Sequence, residues 1–347
     1  MKIYAFEEPG GPARELTVRT PKPSGHEVLV RLTHSGVCHS DVHLRDGAAT
    51  GTFTYPLVAG HEMAGEVVAV GPDVTTAAVG DARLVYPWIG CGSCARCASD
   101  GDHRCAERRF LGIHGFGGYA EAVLVPHERY LHDIEGLDPA WAATLACSGL
   151  TAYSAVAKVV APGPDGADDP VVVIGAGGVG LTAVAVLHAR GRRRIVAVDV
   201  NDERLALARG LGASDTVNSA AGSDAARAAL LAATDGGATA VIDLVNSGTT
   251  ARLGFDVLRE DGKLVHVGLF RGEMVLPTAL MPAKRLTLQG SFIGSPQEMR
   301  EVVTLARSGR LPQTPLVSRP LTAEGVNEAL RALTEGTVPG RVVLTAT

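Results

Sequence analysis

The chain has 347 residues, 46% of them hydrophobic and 20% charged, and a formal net charge of −5 from 32 basic and 37 acidic side chains. That balance excludes a disordered chain and a polybasic nucleic-acid binder, and no apolar run of about 18 residues or more is present to span a membrane. Glycine is high at 42 residues, which points to a turn-rich, β-rich part and a glycine-rich ligand loop, and the length predicts two domains.

The opening stretch "MKIYAFEEPGG" has no apolar run after a charged start, so no secretory signal is expected and a cytoplasmic location is. Residues 1–130 read as short strands and turns: "EVLVRL" (27–32), "MAGEVVAVG" (63–71), "ARLVYPW" (82–88) and "YAEAVLVP" (119–126). The run "PGPDGADDP" (162–170) reads as a surface connection. Beyond it strands and helices alternate. "PVVVIGAGGVG" (170–180) is a strand and turn, "VGLTAVAVLHARG" (179–191) a helix, "RIVAVDV" (194–200) a strand and "DERLALARGLGA" (202–213) a helix. "TAVIDLV" (239–245), "TARLGFDVLRE" (250–260), "GKLVHVGLF" (262–270) and "LTLQGSFIG" (286–294) continue the alternation, which predicts a parallel sheet with helices on both faces. Two helices, 295–311 and 321–336, and a last strand, "GRVVLTA" (340–346), complete the chain. The basic run "RGRRR" (190–194) reads as a solvated helix end.

Six cysteines divide unevenly. Cys91, Cys94, Cys97 and Cys105, at spacings of 3, 3 and 8, allow four thiolates to converge on one ion. Four sulfurs leave no open position, so a closed structural zinc site is expected rather than a disulfide or an iron–sulfur cluster. Gly175-Ala176-Gly177-Gly178-Val179-Gly180 matches the dinucleotide fingerprint in its required context, after a strand and opening a helix. Gly175 makes the turn, Gly177 admits the pyrophosphate and Gly180 lets helix and strand pack. Asp199 lies nineteen residues after Gly180 at a strand end, where a carboxylate accepts from both ribose hydroxyls and repels a 2′-phosphate. Val200 offers no cation to receive that phosphate, so NAD is expected over NADP. "GVCHSDVH" (36–43) and "GHE" (60–62) carry further metal-ligand types, while Cys147 stands 42 residues beyond Cys105. On its own, Cys147 reads as a small packing residue.

In combination with the fingerprint, these motifs and the "GGYAEA" and "GRVVL" segments resemble the zinc-dependent medium-chain alcohol dehydrogenases over essentially the whole chain. The resemblance implies an α/β fold with a doubly wound Rossmann sheet plus a GroES-like β-barrel catalytic domain. The expected divisions are 1–148 (zinc lobe 91–105), 149–293 for NAD, and 294–347 returning to the catalytic domain. It implies two zinc ions per chain. Cys38, His61 and Cys147 match the ligands of the open catalytic site, which keeps a position for water or substrate. Glu62 matches the adjacent carboxylate, able to exchange with the zinc water, and Asp41 the partner that orients His61. Ser40 matches the hydroxyl beside the alcohol oxygen and His43 the distal proton relay. His39 and Arg341 match pyrophosphate contacts, Arg204 a ribose neighbour, and Val267, Ser291 and Ile293 the carboxamide contacts. Tyr55, Trp88 and Ile113 are expected as walls of an apolar substrate pocket. The implied activity is oxidation of primary or secondary alcohols (aliphatic, cyclic or aromatic) through a zinc alkoxide that passes hydride to NAD. Alternatives are a polyol, threonine or other specialised dehydrogenase on the same frame, and a non-catalytic zinc and cofactor-binding protein. The partner expected is a small alcohol or carbonyl compound, with no nucleic acid or membrane partner. A homo-oligomer is expected, a tetramer ahead of a dimer.

Overall fold

A computed structural model describes residues 1–47, 54–99, 101–159, 166–269 and 272–346. The chain separates into two compact units. The first comprises Met1–Cys147, Ser295–Arg307 and Pro315–Thr347; the second comprises Ser148–Gly294 and Ser308–Thr314.

The first unit is built on a seven-stranded sheet. Its long strand Val28–Val37 pairs antiparallel with Glu62–Val70 on one side and with Arg341–Thr345 on the other. The lower half of the same strand also pairs with Ala122–Val125. Glu62–Val70 continues to Ala82–Val85 and Leu131–Asp133, while Arg341–Thr345 continues to Leu316–Pro320. Strand formation follows β-branched density, and Val28, Leu29, Val30 and Leu32 are all buried, with Arg31 the one exposed residue of the strand. Register shifts between Leu29/Val30 and Leu32/His34 mark bulges that bend the long strand. A separate hairpin joins Lys2–Phe6 to Ala13–Thr17. The short helix Pro139–Thr144, capped by Asp138, packs over the central strands and brings the chain to Cys147.

The second unit holds six strands, all parallel. Across the sheet they run Asp215–Asn218, Ile195–Asp199, Val171–Ile174, Ala238–Asp243, Leu258–His266 and Thr287–Gly290. Numbered from the first, that order is 3-2-1-4-5-6, the dinucleotide-binding arrangement with its switch point beside Val171–Ile174. Every residue of Val171–Ile174 is buried because helices cover both faces. Helix Gly178–Ala189 is itself buried along most of its length.

Three local features differ from the sequence expectation. The helix expected over 250–260 ends at Asp256, and the next strand begins at Leu258, which pairs with Ala238 before a register shift carries the pairing on from Lys263. Helix Ser223–Ala233, not anticipated, completes the alternation. Residues Leu145–Gly149 form a π-helical turn, which hydrophobic periodicity does not signal. Among the described residues no helix is long and apolar enough to cross a membrane. The expected surface connection at 162–170 lies partly outside the described residues.

Candidate active site

Sheet register assembles the first metal site. Gly36 faces Glu62 across one side of the long strand, and Val37 faces Val342 on the other. Cys38 leaves the end of that strand, so His61, Glu62 and Arg341, at the ends of the flanking strands, arrive beside it. Cys147 comes from the π turn above. The donor atoms of Cys38, His61 and Cys147 all lie within 4.8 Å of one another and all three residues are buried. Asp41, fully buried, fixes the arrangement. Its carboxylate accepts the Cys38 N–H at 2.9 Å and the Gly60 N–H at 3.3 Å, and lies 3.1 Å from Nδ1 of His61. That contact puts the ring proton on Nδ1 and leaves Nε2 as the free donor atom; Nε2 is buried and has no hydrogen-bond partner. Trp88 donates its indole N–H to the Ala146 carbonyl at 3.1 Å, which pins the π turn, and its ring lies 5.4 Å from that of His61.

Charge at this site is arranged for a cation. The hydrogen bond from Cys147 holds the Cys38 thiol well below its usual range, against burial, with His61 assisting. The same hydrogen bond raises Cys147. Burial pushes His61 down, yet Asp41 and Cys38 more than reverse it and hold the ring well above its ordinary value. A pocket that favours positive charge at His61, with one sulfur drawn toward thiolate and one orphaned ring nitrogen, fits a zinc ion. Three donors leave it an open position. Glu62 stands beside them, ion-paired with Arg341. A Cβ at Gly36 would lie 2.0 Å from the Glu62 carboxylate, so only glycine leaves room for it.

The second site is the lobe. Sγ atoms of Cys91 and Cys97 are 3.8 Å apart, those of Cys94 and Cys97 3.5 Å, and those of Cys94 and Cys105 3.9 Å. A tetrahedron with bonds of ~2.3 Å has edges of about 3.8 Å, so the four sulfurs fit one zinc and close its shell. Asp102 anchors the lobe by accepting from Tyr130 Oη at 3.0 Å.

In the second unit the glycine loop follows Val171–Ile174. Gly175 takes φ 93°, and a Cβ at Gly180 would meet the Gly175 carbonyl at 1.7 Å. Gly177 caps helix Gly178–Ala189 and has open space where a Cβ would stand, the cradle a pyrophosphate needs. Asp199 ends its strand and reaches across to the loop, accepting the Ala176 N–H at 2.7 Å. Arg204 lies 4.0 Å from Asp199. Val267 and Ser291 follow the carboxyl ends of two neighbouring strands, and Ile293 lies two residues further on with φ 56°. All stand on the ligand-binding edge of such a sheet.

Residues 24–136 match the family described as alcohol dehydrogenase GroES-like domain, and residues 178–308 match zinc-binding dehydrogenase. The chain is 36% identical to an NAD-dependent alcohol dehydrogenase of Sulfurisphaera tokodaii, covering 99% of each chain. It is 37% identical to one of Sulfolobus acidocaldarius, covering 100% of each. The chain belongs to the zinc-dependent medium-chain alcohol dehydrogenase family. Among solved structures, the alcohol dehydrogenase of the archaeon Aeropyrum pernix superposes with a TM-score of 0.89 at 30% identity, covering 99% of this chain and 100% of that one.

Within this dehydrogenase frame the other expected residues fall as follows. Ser40, His39 and His43 lie on the short helix His39–Arg45 that begins after Cys38, and the His39 and His43 rings are 5.6 Å apart. Of the expected pocket walls, Trp88 borders the metal site. Tyr55 is half-buried and donates its hydroxyl to the Leu44 carbonyl at 2.9 Å, bracing the end of that helix, and Ile113 is half-buried. Arg341, expected at the pyrophosphate, is buried against Glu62. Sequence reasoning missed the Glu62–Arg341 pair, the Gly36 clearance and the indole anchor of Trp88. Only the spacing of "SGVC" against "GHE" hinted at the second of these.

Proposed function

We propose that this chain is an NAD-dependent dehydrogenase that interconverts primary or secondary alcohols with their aldehydes or ketones. The observation that carries the reading is the buried convergence of Cys38, His61 and Cys147, a three-donor set with Glu62 beside it. A zinc ion held there supplies Lewis acidity that lowers the pKa of an alcohol oxygen. The chain's own residues do the rest. Asp41 holds His61 in the tautomer that presents Nε2. Arg341 pairs with Glu62, the carboxylate able to exchange with the zinc water. Ser40 takes the alcohol proton and His43 passes it toward solvent. Trp88 walls off the alcohol carbon. Gly175, Gly177, Gly178, Val179 and Gly180 seat the NAD pyrophosphate, Asp199 and Arg204 the adenosine ribose, and Val267, Ser291 and Ile293 the carboxamide. His39 and Arg341 are assigned to the pyrophosphate in the same proposal. The protein works in the cytoplasm as a homotetramer.

The test is a panel of primary, secondary, cyclic and aromatic alcohols, with polyols and threonine, scored by NADH formation. Turnover concentrated on simple alcohols supports the proposal. Turnover confined to polyols or threonine reassigns the substrate, and none at all with both zinc sites filled rejects the reading.

A further inference from the structure

The register of one strand pair carries two histidines to the same place. Val28 faces Val125 in the antiparallel ladder. Extending that register outward puts His26, two residues before Val28, opposite His127, two residues after Val125. Their rings stack with centroids 4.4 Å apart and 3° between planes. At His127 the chain enters the 3-10 turn Glu128–Tyr130, which brings Glu128 round to the same side instead of letting it alternate away. The Glu128 side chain is 5% exposed. Its Oε1 accepts the Thr75 N–H at 3.3 Å. Its Oε2 lies 3.3 Å from Nδ1 of His26 and 2.9 Å from Nδ1 of His127, yet is buried and takes no hydrogen bond.

The reason is the tautomer. Nδ1 of His127 accepts the Arg129 N–H at 3.2 Å, so its ring proton is on Nε2. A nitrogen lone pair and a buried carboxylate oxygen then stand 2.9 Å apart with no proton between them. Such an arrangement repels unless a cation is shared. Protonating both rings is no remedy, because stacked imidazolium ions repel each other. A metal ion bridging the imidazoles and the carboxylate relieves every one of these conflicts, at the cost of the long Arg129 bond.

We propose that His26, His127 and Glu128 form a third metal site, distinct from the catalytic triad and the cysteine lobe, for a divalent ion of the zinc class. The three donor atoms lie within 4.8 Å of one another. Two imidazoles and one carboxylate suit zinc, copper or nickel and not the hard ions magnesium or calcium. Both histidines are partly exposed, which gives the ion a way in and water a place on it. The consequence is mechanical. The ion ties together the outer ends of two strands and fixes the turn whose last residue, Tyr130, anchors Asp102 of the lobe. Binding to the folded state alone raises stability.

The experiment uses the zinc-loaded enzyme dialysed against micromolar zinc, beside His26→Ala, the double variant His26→Ala/His127→Ala, and Glu128→Gln. The expected result is one more zinc per wild-type chain than in either histidine variant, a zinc-dependent rise in melting temperature in wild type alone, and unchanged turnover. Glu128→Gln is expected to weaken the third zinc about tenfold or more. Equal zinc content in wild type and the double variant, or no uptake up to about 1 mM zinc, overturns the proposal and leaves the cluster an imidazolium–carboxylate pair.

Discussion

Cys147 shows how a residue's meaning depends on its neighbours. A lone buried cysteine reads as packing, and this one is 8% exposed. Its sulfur nevertheless shares a proton with Cys38 and sits within reach of His61. Replacing it with alanine removes one of three donors. Cys147→Ala is therefore expected to lose the catalytic zinc and turnover, with the lobe zinc and NADH binding retained. Metal analysis and NADH fluorescence check this, and an active variant with full zinc would return Cys147 to the core. Glu62 makes the complementary point. Its place is legible in "GHE", but its partner is not, because Arg341 lies 279 residues away in sequence and meets it only through the strand order. Gly36 is likewise silent in a sequence rich in glycine; its purpose appears only when Glu62 is seen to occupy the space of its missing side chain.

At the scale of elements, strand ends do most of the work. The long strand Val28–Val37 delivers Cys38 at one end and, through its ladder with Ala122–Val125, aligns His26 with His127 at the other. In the second unit the end of Ile195–Asp199 places a carboxylate against the glycine loop. Its next residue, Val200, is 63% exposed and carries no charge to meet a phosphate. Exchanging Asp199→Ser together with Val200→Arg removes the repulsion and adds a cation. The ratio of kcat/KM with NADP to that with NAD is expected to rise by at least about 100-fold, from two contacts worth about 1.4 kcal/mol each. An unmoved ratio in steady-state assays would show that cofactor choice is made elsewhere. The π turn Leu145–Gly149 is the element least visible beforehand: its residues "LACSG" have ordinary helical character, and the Trp88 bond to the Ala146 carbonyl within it comes from 58 residues away.

For the whole molecule, two cores fold with separate chemistry, and stability follows the polar groups each one buries. His132 in the first unit is a case. Burial pushes its pKa from 6.5 down to about 4, helped by Arg300, and its Nε2 is buried with no partner. The folded state therefore keeps His132 neutral where the unfolded chain would bind a proton. Its contribution is complete above about pH 6.5 and is lost progressively as the pH falls toward 4, by up to about 3 kcal/mol. His132→Gln is expected to flatten the acid limb of the stability curve relative to wild type. Denaturant titrations at a series of pH values, compared pairwise so that acid loss of zinc cancels, measure the difference.

The sequence by itself determined the chemistry with local spacing: four sulfurs within fifteen residues, a glycine fingerprint between a strand and a helix, and the alternation that makes a parallel sheet. Such features are written in near neighbours, where chain geometry leaves few alternatives. Tertiary structure alone decided which distant groups meet. Strand order paired Arg341 with Glu62 and antiparallel register stacked His26 on His127. A helix laid over the sheet turned Cys147 from a packing residue into a ligand. The strand pairings depend on long-range register, where a shift of one residue points a strand's side chains to the opposite face.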